Sequence, residues 1–297
     1  MRIDTSAGTF EALGAGAADA PLVLCLHGFP DHPPSFVPLC DRLARAGYRA
    51  VAPWMRGYAP SVASGPYDVD TLAADAVAIA DALAPGAPVA IVGHDWGAAA
   101  TYAALARRPE RFSAAVTLAV PHPLAFVENA ARQPDQLARS WYMAFFQLRG
   151  LSDRVVAAHD FAFVERLWRR WSPAYLPDPA AMRALKACLA ESMPAPLSYY
   201  RAVMWPPRQA LARARGQTGA GRAISVPTLH LCGHDDGCIG PAASHGQDRF
   251  FSGPFRSVQM MGVGHFMQLE APDRVAALVL DWLSRHPGPA AAIPAGS

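Results

Sequence analysis

The sequence predicts an α/β protein in which a mostly parallel central sheet is covered by helices on both faces and carries an inserted helical cap. Short apolar runs alternate with helical patterns along most of the chain, which is typical of strands buried between two layers of helices. Each run leads into Gly or Pro, the residues that favour turns. The alternation stops over residues 122–222, which hold 13 of the 28 aromatic residues, so this interval predicts a separate helical insertion.

Six apolar runs of strand length account for the predicted parallel part of the sheet. In chain order they are Leu22–Leu26, Arg49–Ala52, Val89–Val92, Ala114–Val120, Thr228–Leu231 and Ser257–Met261. Residues 1–16 predict a small opening hairpin around Gly8. The strand-first order indicates strand–helix–strand crossovers.

Two helices are the clearest between and after these strands. Trp96–Arg108 is rich in Ala and should end at Pro109, because proline lacks an amide proton and clashes with the preceding turn. The final helix should begin near Pro272. Its apolar residues recur at helical spacing and predict one buried face: Val275, Leu278, Val279, Trp282 and Leu283.

The interrupted pattern divides the chain into two predicted parts. The core domain combines residues 1–121 and 223–297, and the cap subdomain spans residues 122–222. A structureless loop of about 100 residues is implausible in a compact domain, so the cap needs helices of its own. Since open α/β sheets bind ligands at the carboxyl ends of their strands, we expect the cap to cover that edge.

Composition excludes several classes of protein. The net charge is only +2 and the Arg side chains are scattered, which argues against nucleic acid as a partner. There is no stretch of 18 apolar residues, so we expect a cytoplasmic protein that does not enter a membrane. Five cysteines without C-x-x-C spacing, and histidines that do not converge, predict no disulfide framework, no metal and no cofactor.

The segment Val89–Ala99 is the strongest chemical signal in the chain. It reads as a strand, a G-x-x-x-G turn from Gly93 to Gly97, and a helix, which is the pattern of a nucleophile elbow. The residue at the centre of the turn is Asp95, where serine hydrolases have Ser. The alternative for Asp95 is an ordinary helix N-cap.

An aspartate at this position favours attack on an sp³ carbon. A carboxylate, with a pKa of about 4, is already ionised at neutral pH and needs no base to remove a proton first. A histidine is then free to activate the water that hydrolyses the resulting ester.

Four segments together resemble the α/β-hydrolase superfamily, and within it the epoxide hydrolase and haloalkane dehalogenase branch, whose elbow nucleophile is an aspartate. Besides the elbow, they are residues 27–30 (His-Gly-Phe-Pro), 233–236 (Gly-His-Asp-Asp) and 262–266 (Gly-Val-Gly-His-Phe). The resemblance spans almost the whole chain and is strongest to epoxide hydrolases. It implies the α/β-hydrolase fold and the family's order of nucleophile, acid and histidine.

By this resemblance Asp95 is the nucleophile, Asp236 the acid and His265 the base, with Asp235 as an alternative acid one residue away. The backbone N–H groups of Phe29 and Trp96 are then expected to form the oxyanion hole.

The resemblance also assigns the residues that assist opening of an epoxide. Tyr142 and Tyr200 look like the pair of lid tyrosines that grip the oxirane oxygen, with Tyr199 as the competitor for Tyr200. The side chains expected to line the substrate pocket are those of Phe29, Pro30, Trp96, Trp141 and Phe146.

The predicted function is hydrolysis of a small apolar epoxide to a vicinal diol by a monomer or homodimer. Dehalogenation through the same aspartate is the first alternative, although Phe29 stands where haloalkane dehalogenases commonly have a halide-binding Asn. The second alternative is a receptor that binds a small ligand on this fold without turnover.

Overall fold

The computed structural model describes residues 1–204 and 223–288, and within them the chain forms a sheet of eight strands. The strands are β1 (Arg2–Thr5), β2 (Gly8–Ala15), β3 (Leu22–Leu26), β4 (Arg49–Pro53), β5 (Val89–His94), β6 (Phe112–Leu118), β7 (Thr228–Gly233) and β8 (Phe255–Met260). Each predicted strand is present, with ends that differ from the prediction by at most two residues.

The strand order in the sheet is β1-β2-β4-β3-β5-β6-β7-β8. The opening hairpin β1–β2 is antiparallel and pairs antiparallel with β4, while every pairing from β4 to β8 is parallel. The mostly parallel sheet is therefore confirmed. All five residues of β3 are buried, as expected for a strand covered on both faces.

Eleven helices accompany the sheet in the part of the chain that the structure describes. They are α1 (Val37–Arg45), α2 (Val69–Leu83), α3 (Trp96–Arg107), α4 (Pro123–Ala130), α5 (Pro134–Arg139), α6 (Trp141–Phe145), α7 (Leu151–Trp171), α8 (Pro179–Ser192), α9 (Ala195–Met204), α10 (Met267–Glu270) and α11 (Pro272–Arg285). Residues 158–161 of α7 depart from helical backbone angles and kink it.

Two hydrophobic clusters lie on opposite faces of the sheet. Alternate residues of β3 separate between them, because successive side chains of a strand point to opposite faces: Leu24 belongs to one cluster and Val23 to the other. Helices α2 and α3 contribute to the first cluster, and α1 and α11 to the second. Within α11 the predicted apolar stripe is buried, except that Leu278 is half-buried.

The helices α4–α9 fill residues 123–204, between β6 and β7, where the sequence predicts the cap. The end of α7 lies on the loops that follow the carboxyl ends of three strands. Nε1 of Trp168 donates to the Pro30 carbonyl (2.8 Å), and the Trp171 carbonyl accepts from the amides of Gly237 and His265 (both 3.1 Å). The division at residues 122–222 stays a prediction, since residues 205–222 lie outside the described residues.

Candidate active site

The elbow forms at the carboxyl end of β5, one of the two central strands of the sheet. Asp95 lies between β5 and α3 with φ of 52° and ψ of −117°, a conformation that a residue with a side chain rarely adopts. The glycines around it permit this bend. A Cβ atom at Gly97 would fall 2.1 Å from the Leu26 carbonyl oxygen, and one at Gly93 would fall 2.3 Å from the Gly97 carbonyl oxygen.

The Asp95 carboxylate is turned away from the helix and towards the segments that contain Phe29 and His265. It makes no capping hydrogen bond to α3. Instead Oδ1 accepts the Phe29 amide at 2.8 Å, and Oδ2 lies 3.7 Å from Nε2 of His265. The residue is only 6% exposed. The alternative of an ordinary N-cap for Asp95 is therefore wrong.

The segment at residues 27–30 approaches the Asp95 carboxylate so closely that its second position must be glycine. A Cβ atom at Gly28 would lie 2.2 Å from Oδ1 of Asp95, well inside van der Waals contact. Glycine therefore lets the amide of the next residue, Phe29, reach the carboxylate. The Trp96 amide makes no such hydrogen bond among the described residues, so its place in an oxyanion hole stays a prediction.

His265 and Asp236 form a buried pair beside Asp95. Nδ1 of His265 lies 2.8 Å from Oδ2 of Asp236, and the other oxygen of Asp236 accepts the amides of Cys238 (2.7 Å) and Ile239 (2.9 Å). The neighbouring Asp235 is exposed and lies near His234 instead. Of the two candidate acids, Asp235 and Asp236, it is Asp236 that contacts His265.

The two carboxylates set the protonation of His265. Burial of the imidazole disfavours its charged form, but the charge and hydrogen bond of Asp236, with a further contribution from Asp95, outweigh burial and raise the pKa of His265 to about 10. The resting site therefore holds an imidazolium between two carboxylates at neutral pH.

The aromatic roof over Asp95 consists of Tyr142 and Phe146 around α6 and Tyr200 on α9. The Tyr200 ring centroid lies 5.6 Å from that of Tyr142, 5.0 Å from that of Phe146 and 4.8 Å from that of Trp96 below. These rings meet mostly edge to face, the arrangement that aromatic quadrupoles favour.

The two neighbouring tyrosines of α9 point in different directions. The Tyr199 hydroxyl donates to the Arg56 carbonyl oxygen, so its proton is used away from Asp95. The Tyr200 hydroxyl is buried and has no hydrogen-bond partner in residues 1–204 and 223–288. Burial and then the charge of Asp95 raise the pKa of Tyr200, which keeps the phenol protonated. Tyr200 is thus the member of the pair that faces the site.

Trp141 is the one predicted pocket residue that the structure does not bring to the site. It is 41% exposed, and its ring packs on Phe145 and Phe163. The reason is helical geometry: Trp141 is one residue, or about 100° around the helix, from Tyr142, whereas Phe146 is four residues on and shares its face. The prediction for Trp141 is wrong, while Phe29, Pro30, Trp96 and Phe146 are all buried around the roof.

Comparison with known proteins identifies the family of this chain. The sequence profile of a family described as "alpha/beta hydrolase fold" matches residues 21–272. The chain belongs to the α/β-hydrolase family. This confirms the fold class that the motifs predicted.

The relatives of this α/β-hydrolase include named epoxide hydrolases. Epoxide hydrolase A of Mycobacterium tuberculosis is 30% identical, over 95% of this chain and 96% of the relative. The crystal structure of Epoxide Hydrolase A from Mycobacterium thermoresistibile is 26% identical with a TM-score of 0.80, covering 96% of this chain and 97% of that chain. A Bacillus megaterium epoxide hydrolase bound to an inhibitor, 21% identical, shares the fold with a TM-score of 0.81, covering 96% and 100% of the two chains. The protein is an epoxide hydrolase-like enzyme, as predicted.

Several residues that hold the hydrolase site together escaped the sequence analysis. Oγ of Ser172 accepts the amides of His265 (3.0 Å) and Phe266 (3.1 Å) and donates to Glu270, whose other oxygen accepts the Gly264 amide at 2.7 Å. Ser172 precedes His265 by 93 residues, so no local pattern connects them.

A second buried network lies behind the catalytic residues. Nε2 of His94 donates to the His265 carbonyl (3.0 Å), and Nδ1 faces Gln268 (3.4 Å) and Asp31 (3.5 Å). This network ties the loop after β3, the elbow and the His265 loop to one another.

Metal binding has one candidate group within the described residues. Single ligand atoms of Asp236, Cys238 and His265 lie within 4.8 Å of one another. Both oxygens of Asp236 already accept hydrogen bonds and Nδ1 of His265 is one of their partners, so the group is poorly suited to a cation. In the same part of the chain, no helix is both long and apolar enough to cross a bilayer.

Proposed function

We propose that this α/β-hydrolase opens a small apolar epoxide to a vicinal diol through a covalent ester on Asp95. The observation that carries the proposal is that the two carboxylate oxygens of Asp95 lie in different surroundings. Oδ1 is held by the Phe29 amide, while Oδ2 lies on the His265 side beneath the roof tyrosines. The names of the relatives, two of them Epoxide hydrolase A, support the same substrate class.

In the first step, an oxygen lone pair of Asp95 attacks a ring carbon and the carbon–oxygen bond of the epoxide breaks. The ring oxygen leaves with the bonding electrons and takes a proton from a roof tyrosine, because an alkoxide is too basic to leave unaided. The burial of Tyr142 and Tyr200 supports this role, since it raises the pKa of both phenols and so keeps their protons in place until the ring opens.

In the second step, the imidazolium of His265 gives its proton to the tyrosinate left by the first step; the neutral imidazole then removes a proton from water, and the hydroxide attacks Cγ of Asp95. Esterification removes the negative charge of Asp95, which is one of the groups that raise the pKa of His265, so the imidazolium becomes easier to deprotonate at this stage. The Phe29 amide stabilises the charge that develops on Oδ1.

Collapse of the intermediate releases the alkoxide of the diol, which takes the remaining proton of the water from the Asp95 carboxyl group. The proton that His265 removed from the water stays on the imidazole. Asp95, His265 and the tyrosine are then as they were before the reaction.

The test is to trap the ester. In a His265→Gln variant the first step should proceed while the second is blocked, so that turnover falls by about a thousandfold or more. After incubation with an aryl epoxide, mass spectrometry should find the peptide containing Asp95 heavier by the mass of the epoxide. An unmodified Asp95 peptide in a variant that still folds would refute the two-step scheme.

Dehalogenation is the second candidate, and one observation favours it. Nε1 of Trp96 is buried without a hydrogen-bond partner among the described residues, and an indole N–H can bind a leaving halide. An aryl epoxide and a bromoalkane offered side by side, with diol and bromide both measured, separate the two functions. Bromide release without diol would reverse the order proposed here.

A further inference from the structure

Cys238 connects the two sides of the site. It follows β7, and its amide donates to Oδ1 of Asp236 at 2.7 Å. Its sulfur lies 3.3 Å from the hydroxyl oxygen of Tyr142, and both side chains are buried. One residue therefore contacts the catalytic acid through its backbone and a roof tyrosine through its side chain.

The two roof tyrosines differ in this respect. Within residues 1–204 and 223–288 the Tyr200 hydroxyl has no hydrogen-bond partner, whereas the Tyr142 hydroxyl is held by Cys238. A phenol oxygen can accept one hydrogen bond while its own proton is donated elsewhere. When the thiol is the donor, the Tyr142 proton is free for a ligand.

We propose that Cys238 is a positioning residue for epoxide opening: its thiol donates to the Tyr142 oxygen and directs the Tyr142 proton to the epoxide oxygen. The inference rests on the proposed function. In a chain of hydrogen bonds, each donor polarises the next, so the thiol also makes the Tyr142 hydroxyl a better donor.

The protonation of Cys238 agrees with this role. Burial, followed by the charges of Asp236 and Asp95, raises the pKa of the thiol well above its ordinary value. The sulfur therefore keeps its proton at neutral pH, so the thiol has a proton to donate and is not a competing nucleophile.

The experiment measures ester formation and ester hydrolysis separately, by rapid quenching and mass analysis of the Asp95 peptide with styrene oxide as the substrate. Cys238→Ala should slow ester formation by about fivefold, the effect of one ordinary hydrogen bond, and leave ester hydrolysis within about twofold. Cys238→Ser, which keeps a donor, should retain the wild-type rate. The matched control is Cys232→Ala, since this buried thiol donates to the Val258 carbonyl (3.8 Å), a backbone group of β8.

If Cys238 acts through Tyr142, the effect of Cys238→Ala must depend on the Tyr142 hydroxyl. In a Tyr142→Phe background, Cys238→Ala should cause no further loss, because the group that the thiol positions is gone. A merely structural role for Cys238 would persist in that background and would slow both steps.

The failures of the two proposals are distinguishable. If the wild-type protein forms no ester with styrene oxide, the proposed function fails and the role of Cys238 fails with it. If the ester forms but Cys238→Ala changes nothing, or slows both steps equally with and without Tyr142, only the role of Cys238 is overturned.

Discussion

The site has two halves that are built differently. The core half consists of Phe29, Asp95, Asp236 and His265, all on short loops that follow parallel strands. Its charged groups are held by short hydrogen bonds, such as the 2.8 Å contacts from Phe29 to Asp95 and between His265 and Asp236. The roof half consists of Tyr142, Phe146 and Tyr200 and is held by contacts between rings 5.0–5.6 Å apart.

The difference separates the two tasks that the proposed reaction sets. An attacking carboxylate, and the negative charge that develops during the reaction, require hydrogen-bond donors at fixed positions. Backbone amides and buried ion pairs provide such donors. A proton donor for the leaving oxygen needs a hydroxyl that is not already committed to the protein, and Tyr200 has one.

The largest effect should come from removing the hydroxyls of the roof. Tyr142→Phe and Tyr200→Phe should each slow ester formation by at least about tenfold, and the double variant by about a thousandfold, because no acid then protonates the alkoxide. Ester hydrolysis, which depends on the core half, should be unchanged. Rapid-quench measurement of the two steps checks this, with Tyr199→Phe as the control whose hydroxyl bonds elsewhere. Equal slowing of both steps would show that the halves are not separable.

Packing of the roof can be tested with two neighbouring aromatics. Phe146→Ala should lower the free energy of unfolding by about 3 kcal/mol, since the ring is fully buried against Phe29, Tyr142 and Tyr200. Trp141→Ala should cost less than about 1 kcal/mol, because Trp141 is largely on the surface. Urea unfolding measures both. A loss for Trp141→Ala as large as that for Phe146→Ala would contradict the placement of Trp141.

The pH dependence of stability should differ between the halves. His265 titrates near pH 6.5 in an unfolded chain and at about 10 in the folded protein, so the folded state binds more protons between these values. The contribution of His265 to stability is complete below about pH 6.5 and is lost as the pH rises towards 10. The buried tyrosines, whose pKa values are raised above 10, should lower stability only at still higher pH.

Urea unfolding of the wild type and of His265→Gln, compared at pH 6.5 and 9.5, checks the contribution of the core half. The fall in stability over this range should be smaller in the variant. An unchanged fall would show that His265 does not carry the raised pKa.

Much of the core half could be predicted from the sequence, because its reactive residues lie next to strands and helices that local sequence patterns predict. Asp95 stands between a recognisable strand and helix, and His265 and Asp236 each follow a strand. In a parallel sheet the carboxyl ends of the strands meet at one edge, so motifs at those ends converge without any knowledge of the packing. The choice between Asp235 and Asp236 was not local, since only burial against His265 separates two adjacent carboxylates.

The roof half needed the tertiary structure. The sequence by itself determined that residues 122–222 are rich in aromatics and interrupt the strand pattern, but not which rings turn inwards. The choice of Tyr200 over Tyr199, the outward position of Trp141 and the contact of Cys238 with Tyr142 depend on helix rotation and on partners up to 143 residues away. Such contacts leave no periodic trace in a sequence, because they are fixed by the packing of helices on loops and not by neighbours along the chain.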